Sequence, residues 1–216
     1  MLKIFSVKSV PTLQWSSPTP FSLRPRLITF FYLNLGLVLF GLGEALLIAG
    51  GAGVSPWTVL AQGIAGHTDW SIGFTTMIIS FVILLLWIPL KQKPGMGTIL
   101  NALIIAFMID FSLELLPYPQ TFLWQIMQTM IGVLIVGIAS GIYLSANLGP
   151  GPRDGLMTGL QAWTGMPIAN IRIAIEITVV AIGWYLGGVV GIGTLIFAFG
   201  VGPCVALGIL FVKRFL

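Results

Sequence analysis

The sequence predicts an all-α membrane protein with six transmembrane helices and two short re-entrant helices. Three observations support this fold class. The composition is too apolar for a water-soluble domain, six segments are long and apolar enough to span a bilayer, and the second half of the chain repeats the first. Because each half contains an odd number of spans, the halves are expected to form two inverted three-helix repeats.

The composition indicates the class of protein. Of 216 residues, 57% are hydrophobic and 7% are charged, whereas a soluble domain carries about 25% charged residues. Glycine is abundant, with 27 residues, as is common in membrane helices. This small number of charged residues cannot cover a water-exposed surface. We therefore expect most of the surface to contact a lipid bilayer.

A transmembrane helix needs roughly 20 predominantly apolar residues. Six segments meet this requirement: residues 28–50, 71–90, 97–116, 123–145, 168–187 and 193–212.

Two further apolar stretches, residues 53–66 and 149–165, are too short and too broken to span. Each opens with Gly and Pro, and Pro is well tolerated in a first helical turn. Apolar stretches of about 10–14 residues are typical of re-entrant or interfacial segments.

The basic residues support six spans rather than eight. Lys and Arg are enriched in cytoplasmic loops, and six spans with a cytoplasmic N-terminus place every basic residue at the cytoplasmic side. Counting the two short helices as spans would move Lys91 and Lys93 outside. This topology explains the net charge of +4 without a nucleic-acid partner.

The six-span topology predicts cytoplasmic termini, a tail at 1–26, a first membrane repeat at 27–118 and a second at 119–216. The basic residues are Lys3, Lys8, Arg24, Arg26, Lys91, Lys93, Arg153, Arg172, Lys213 and Arg214.

An offset of 96 residues aligns the two halves of the chain without a gap. The Pro, Thr and Gly-Thr matches at this one offset argue against a chance alignment of glycines. Inverted repeats with paired broken segments are the architecture of many secondary transporters, whose binding sites lie near the midplane at the repeat interface. The matches include Gly36 with Gly132, Gly41 with Gly137, Gly53 with Gly149, Pro56 with Pro152, Gly63 with Gly159, Thr68 with Thr164, and Gly97-Thr98 with Gly193-Thr194.

Three segments carry a resemblance to a known family. They are Gly53-Val54-Ser55-Pro56-Trp57-Thr58, Gly149-Pro150-Gly151-Pro152-Arg153-Asp154-Gly155-Leu156, and Gly191-Ile192-Gly193-Thr194 through Gly202-Pro203. Over residues 27–212 the chain resembles the bacterial YczE/YyaS/YitT family of integral membrane proteins. The resemblance implies a bacterial inner-membrane protein and transfers no substrate.

Acidic residues within the spans are the first candidates for a binding site. A charge at the bilayer centre costs roughly 2.5–3.5 kcal/mol, so such residues usually face a cavity or a partner. Glu44 lies deep in the first span with no basic residue within local reach, which favours a substrate or ion contact. Arg172 precedes Glu176 by four positions on the same helical face. These two form either a static ion pair that eases insertion or a substrate contact.

Asp110 lies in a row with Ala102 and Ala106 on a helix-packing face of the third span. Small residues in such rows let helices approach closely. The Asp110 carboxyl group therefore either makes hydrogen bonds between helices or lines a cavity.

The N-termini of the two short helices are the second candidate site. Their free N–H groups and the positive end of the helix dipole suit an anionic group. Ser55 and Thr58 would contribute hydroxyls at one helix, and Arg153 and Asp154 would contribute charges at the other. The alternatives are simple N-capping by Ser55 and a solvated cytoplasmic Arg153–Asp154 pair.

Other residues exclude function classes. Cys204 is the only cysteine, so the chain has no internal disulfide and no CxxC site. His67 is expected to be an exposed loop residue. No nucleophile–base pair, metal-ligand spacing or phosphate loop is present, so we expect no enzyme, metal or cofactor. Six tryptophans are interpreted as membrane-interface residues: Trp57, Trp70, Trp87, Trp124, Trp163 and Trp184.

The leading functional hypothesis is a small secondary transporter or permease for a small solute or ion. The main alternative is a non-transporting accessory or scaffold protein of the membrane, which predicts a sealed or apolar interior. An ion channel would need a continuous polar path, for which a homodimer would supply additional polar groups.

Overall fold

The computed structural model describes residues 12–215, which form eight α-helices and no β-strand. Lys3 and Lys8 of the predicted tail lie outside these residues. The helices are α1 (Leu27–Gly50), α2 (Pro56–Ala65), α3 (Ile72–Trp87), α4 (Met96–Leu113), α5 (Phe122–Ser145), α6 (Pro152–Thr164), α7 (Ile168–Tyr185) and α8 (Ile192–Phe215).

Five of the helices in residues 12–215, α1, α4, α5, α7 and α8, are long and apolar enough to cross a membrane. The all-α membrane class is therefore confirmed. The predicted span at 71–90 is shorter than expected, because α3 has 16 residues and reaches about 24 Å at 1.5 Å per residue. It ends at Trp87, two residues before Pro89, because Pro89 has no backbone N–H to continue the helical hydrogen bonds.

The helix starts recur at the offset found in the sequence. Three of the four pairs, α2 with α6, α3 with α7 and α4 with α8, begin at positions 96 residues apart. The α1 and α5 helices, which start one residue out of this register, are both 24 residues long.

The loops before α2 and α6 are built alike. Gly53 and Gly149 have φ of 117° and 106°, a region that L-residues with a side chain rarely adopt. The Gly193 N–H donates to Ala52 O at 2.7 Å, and the Gly97 N–H donates to Leu148 O at 2.7 Å. Each short helix is thus held at its start by the first turn of a helix from the other half of the chain.

Helix packing links the two halves of the chain. The α1 and α5 helices form the central contact, α2 packs against α7, and α6 packs against α3. Within the first half α3 also packs against α4, but among the described residues α7 has no comparable packing against α8. A gap therefore separates α7 and α8 where their counterparts are in contact.

Residues 12–26 form turns rather than helix and pack against the end of α5. The Trp15 ring lies 4.7 Å from that of Tyr32. The Ser17 N–H donates to Ala146 O at 2.9 Å, and the Ser16 hydroxyl donates to Ser145 O at 2.5 Å. This part of the tail is consequently joined to the helical core.

Two tryptophans are not interface residues, which corrects the sequence interpretation. Trp57 is 8% exposed and Trp87 is 2% exposed. The Trp87 indole N–H donates to Pro152 O at 3.0 Å, which anchors α3 to the first turn of α6. Their apolar rings fill the contacts between the halves, and burial there outweighs the preference of Trp for the membrane interface.

Candidate functional site

A cavity of about 470 Å³ lies between helices of both halves of the chain. Ligand sites in proteins typically occupy about 300–1,000 Å³. Its walls contain both members of many pairs of positions that are equivalent at the 96-residue offset, so it lies where the two halves meet. The pairs are Phe40 with Val136, Glu44 with Ser140, Ser55 with Gly151, Trp57 with Arg153, Thr76 with Arg172, Ser80 with Glu176, Asn101 with Phe197, and Ile105 with Val201.

Glu44 is the most deeply buried charged residue of the cavity, at 1% exposure. Its Oε2 accepts hydrogen bonds from Ser55 Oγ at 2.9 Å and Thr58 Oγ1 at 2.8 Å. Its Oε1 has no hydrogen-bond partner among the described residues. Because a buried polar atom without a partner is costly, Oε1 is a candidate contact for a bound group.

Ser55 occupies the N-cap position of α2, but its side chain makes no capping hydrogen bond. The hydroxyl is instead directed to Glu44 and Thr58. The capping alternative is therefore not what the structure shows. The first turn of α2 uses its hydroxyls to hold a carboxylate from α1.

Arg153 lies in the first turn of α6 and lines the same cavity. Its guanidinium carbon is 5.3 Å from the centre of the Trp57 ring, which is within range of a cation–π interaction. Among residues 12–215 the structure gives this guanidinium no ion pair and no hydrogen bond. Its five N–H groups thus make no hydrogen bond to the described residues.

Asp154 follows Arg153 but does not pair with it. Its Oδ2 accepts a hydrogen bond from the Tyr143 hydroxyl at 2.9 Å, which connects α6 to α5. The two residues form no direct ion pair, because the Tyr143 hydroxyl binds the carboxylate and the Trp57 ring lies under the guanidinium.

Arg172 and Glu176 form the intrahelical ion pair that their spacing predicts. Arg172 Nε lies 2.8 Å from Glu176 Oε1, with side-chain exposures of 48% and 22%. Both residues line the cavity next to α8. The pair therefore borders the gap between α7 and α8.

Asp110 is outside this cavity. Its Oδ2 accepts from Ser71 Oγ at 2.5 Å, and its Oδ1 accepts from the Gly73 N–H at 2.8 Å. The carboxylate thus binds the first turn of α3 from α4, which is the packing alternative. Of the other seven predicted site residues, six line one cavity and Thr58 contacts Glu44 from outside its lining, whereas Asp110 lies apart.

The sequence interpretation missed several residues of the cavity wall. Thr76 and Ser80 are the equivalents of Arg172 and Glu176 at the 96-residue offset. The alignment of the two halves was therefore sufficient to predict them as cavity residues. Tyr143 had no such signal, because its equivalent position holds Leu47. Its role depends on where α6 places Asp154.

No three His, Cys, Asp or Glu side chains come together as a metal-binding group in the part of the chain that the structure describes. The charged residues of the cavity are of both signs, which suits a small charged solute better than a bound metal ion. The expectation of no cofactor stays a prediction.

Comparisons with known proteins agree with the membrane fold. A protein of Haemophilus influenzae, described as an uncharacterized protein, is 36% identical over 199 residues, covering 92% of this chain and 90% of the relative. The Bacillus subtilis "uncharacterized membrane protein YczE" is 34% identical, covering 79% of each chain. The Bacillus subtilis "uncharacterized protein YyaS" is 25% identical, covering 77% of this chain and 85% of the relative. No solved structure matches this chain.

A family model described as "Family of unknown function (DUF6198)" matches residues 27–209. This match spans the eight helices nearly completely and excludes the N-terminal tail. Together with the YczE and YyaS relatives, it confirms the resemblance carried by the Gly-Pro segments. The chain therefore belongs to the DUF6198 family and is related to the YczE and YyaS proteins.

Proposed function

We propose that this integral membrane protein is a small secondary transporter that moves a small solute by alternating access. The observation that carries the proposal is the cavity between the two halves, which holds buried Glu44 and the free guanidinium of Arg153. Intramembrane ionisable residues are rare and usually mark substrate or ion pathways. A protein that served only as a scaffold would gain stability from an apolar interior in place of these charges.

The proposal includes an inverted-repeat architecture with α2 and α6 as re-entrant helices. It is supported by the recurring helix starts, the matched bonds of Gly97 and Gly193, and the equivalent residues in the cavity wall. Helices of 10 and 13 residues are too short to span a bilayer. In transporters of this kind, the N-termini of broken helices face the substrate.

The orientation in the proposal follows the basic residues. With α3 counted as a sixth span, the α3–α4 connection containing Lys91 and Lys93 lies on the same side as Lys213 and Arg214 at the end of α8. The positive-inside rule makes this side the cytoplasm of a bacterial inner membrane. A 16-residue helix is accommodated by local thinning of the bilayer.

The alternative is a non-transporting accessory or scaffold protein. It predicts a protein that copurifies with a partner and whose cavity residues can be replaced without loss of activity. A homodimer is not needed for the transport proposal, because one chain supplies every wall of the cavity. The proposal also assigns no enzymatic reaction to the cavity.

The experiment is an efflux assay with purified protein in liposomes. The liposomes are loaded with a small-molecule extract of bacterial cells, and mass spectrometry follows which solutes leave. We expect at least one solute to leave only when the protein is present, and to be retained in liposomes that contain Glu44→Gln or Arg153→Ala. Retention of every solute would contradict transport.

The matched control is Ser112→Ala. Ser112 is buried in α4 at 3% exposure, nearly as deeply as Glu44, but does not line the cavity. This variant should keep the efflux of the natural protein. If efflux survives both Glu44→Gln and Arg153→Ala, the assignment of the binding site to these residues is wrong, but the proposal of transport stands.

A further inference from the structure

The charged residues of the cavity differ in how well their charges are compensated. The carboxylate of Glu176 is paired with Arg172 at 2.8 Å, and Asp154 accepts a hydrogen bond from Tyr143. Glu44 and Arg153 form no ion pair among the described residues, although the charges of Glu44 and Asp154 are near Arg153. The cavity therefore contains one negative and one positive group that no salt bridge compensates.

These two groups lie on either side of the first turn of α2. Ser55 and Thr58 of this turn hold Glu44 Oε2, and Trp57 of the same turn lies under the Arg153 guanidinium. Glu44 and Arg153 are thus close enough to contact one small molecule, yet they do not form an ion pair with each other.

Each group also has free hydrogen-bonding capacity. Oε1 of Glu44 is buried and has no partner in residues 12–215, and as a carboxylate oxygen it accepts hydrogen bonds from a donor. The Arg153 fork is suited to bidentate binding of a planar or tetrahedral anion. Leaving the buried Glu44 charge unpaired is costly, and the half-buried Arg153 guanidinium gains from an anionic partner, so a ligand that compensates both is favoured over one that compensates only one.

We infer that the cavity binds a small zwitterion, with its cationic amine at Glu44 Oε1 and its carboxylate, sulfonate or phosphate at Arg153. This inference rests on the proposed function, because it names the substrate class of the same cavity. A simple anion would leave Glu44 uncompensated, and a simple cation would leave Arg153 uncompensated. The apolar walls at Phe40, Val136 and Phe197 would contact the uncharged part of the molecule.

The test measures thermal stabilisation and calorimetric binding with the full chain in detergent. The probes are L-alanine, L-leucine, L-phenylalanine, taurine and O-phosphoethanolamine. For each amino acid that binds, the N-acetyl derivative removes the positive charge and the carboxamide removes the negative charge. We expect at least one zwitterion to bind and both blocked derivatives to bind about 10-fold or more weakly, as expected for a lost charged hydrogen bond.

The protein variants give a second, independent arm. Glu44→Gln should weaken binding of the zwitterion and of its carboxamide, which keeps the amine. Arg153→Gln should weaken binding of the zwitterion and of its N-acetyl derivative, which keeps the carboxylate. The control is Ser112→Ala, because Ser112 is buried in α4 at 3% exposure but does not line the cavity. Zwitterion binding to this variant should match that of the natural protein.

Three results would overturn the inference: binding of none of the five zwitterions, equal binding of a zwitterion and its N-acetyl derivative, or binding by inorganic phosphate and acetate alone. These results are distinguishable from a failure of the proposed function. If the extract assay shows efflux of a solute that is not zwitterionic, transport stands and this inference fails. If a zwitterion binds but no solute crosses the liposome membrane, the binding site stands and transport fails.

Discussion

The two halves of this chain share a backbone plan but differ in the chemistry that they bring to the cavity. The first half contributes hydroxyls at Ser55, Thr76 and Ser80, whereas the equivalent positions of the second half hold Gly151, Arg172 and Glu176. Glu44 reverses this trend, because Ser140 is its equivalent. The backbone positions that the two halves share support the fold, and the differing side chains mark where the chemistry of the halves differs.

The packing of the halves differs in the same region. The α3 helix packs against α4, but α7 leaves a gap to α8, and the charged pair of α7 borders that gap. Thr76 and Ser80 satisfy their hydroxyls within α3, by donating to Ile72 O and Thr76 O at 2.9 Å. Neutral residues that are satisfied within their own helix allow close packing, whereas a salt-bridged pair needs a polar surrounding. The neutral pair thus lies where the two helices pack closely, and the charged pair lies where they do not.

The largest expected effect concerns Glu44. Glu44→Gln should reduce solute efflux about 10- to 100-fold, because it removes a charged contact, while the melting temperature does not fall, since a costly buried charge is also removed. Efflux and thermal unfolding are measured on the same preparation. A large loss of melting temperature together with activity would instead indicate a structural role.

The next effect tests the shared backbone plan. Gly53→Ala and Gly149→Ala should each destabilise the protein by about 1–3 kcal/mol, because both positions have φ above 100°. An added Cβ at Gly53 would also lie 2.8 Å from Gly191 N. Equal losses at the two positions, measured by unfolding in detergent, would support equivalent structural roles.

The control for these glycines is Gly202→Ala in α8. An added Cβ at Gly202 meets no atom within 4 Å, and alanine is the better helix former by roughly 0.5–1 kcal/mol. This variant should be neutral or stabilising. If it destabilises as much as Gly53→Ala, the loss at Gly53 does not report on backbone conformation.

A smaller effect is expected where the first half anchors the second. Trp87→Phe should destabilise by about 1–2 kcal/mol, because it removes the indole hydrogen bond to Pro152 O and shrinks a ring that is 2% exposed. Trp184→Phe is the matched control, since Trp184 is 68% exposed and its replacement should change stability by less than about 0.5 kcal/mol. Equal losses in thermal unfolding would show that the Trp87 bond does not anchor α6.

The smallest effect is expected at the ion pair of α7. Arg172→Thr combined with Glu176→Ser should change stability by less than about 1 kcal/mol, because a partly exposed pair contributes little. The measurement is again thermal unfolding. A loss above 2 kcal/mol would mean that the pair holds α7 in place.

Much of the fold could be predicted from the sequence because the signals are local. Apolar length located the long helices, and the Pro residues located the starts of α2 and α6 at Pro56 and Pro152. The spacing of Arg172 and Glu176 was sufficient to predict their pair. The early end of α3 also has a local cause, Pro89, which the apolar count of residues 71–90 did not weigh.

The candidate site was predictable only in part, because its remaining features depend on contacts between distant segments. The burial of Trp57 and Trp87 results from the crossing of α2 with α7 and of α3 with α6. Hydropathy alone gives such residues the same score as interface tryptophans. The partner of Asp154 and the placement of Asp110 likewise depend on which helices become neighbours.

The most direct test of the account is the accessibility of the cavity from both sides of the membrane. Ser80→Cys and Ser140→Cys, one residue from each half of the cavity wall, are labelled in a Cys204→Ser background with a membrane-impermeant thiol reagent. Ser112→Cys, outside the cavity, serves as the control and should stay unlabelled. We predict that both cavity cysteines react in right-side-out and in inverted vesicles, as alternating access requires. Labelling from one side only, or from neither, would contradict the central claim that this cavity is a transport site.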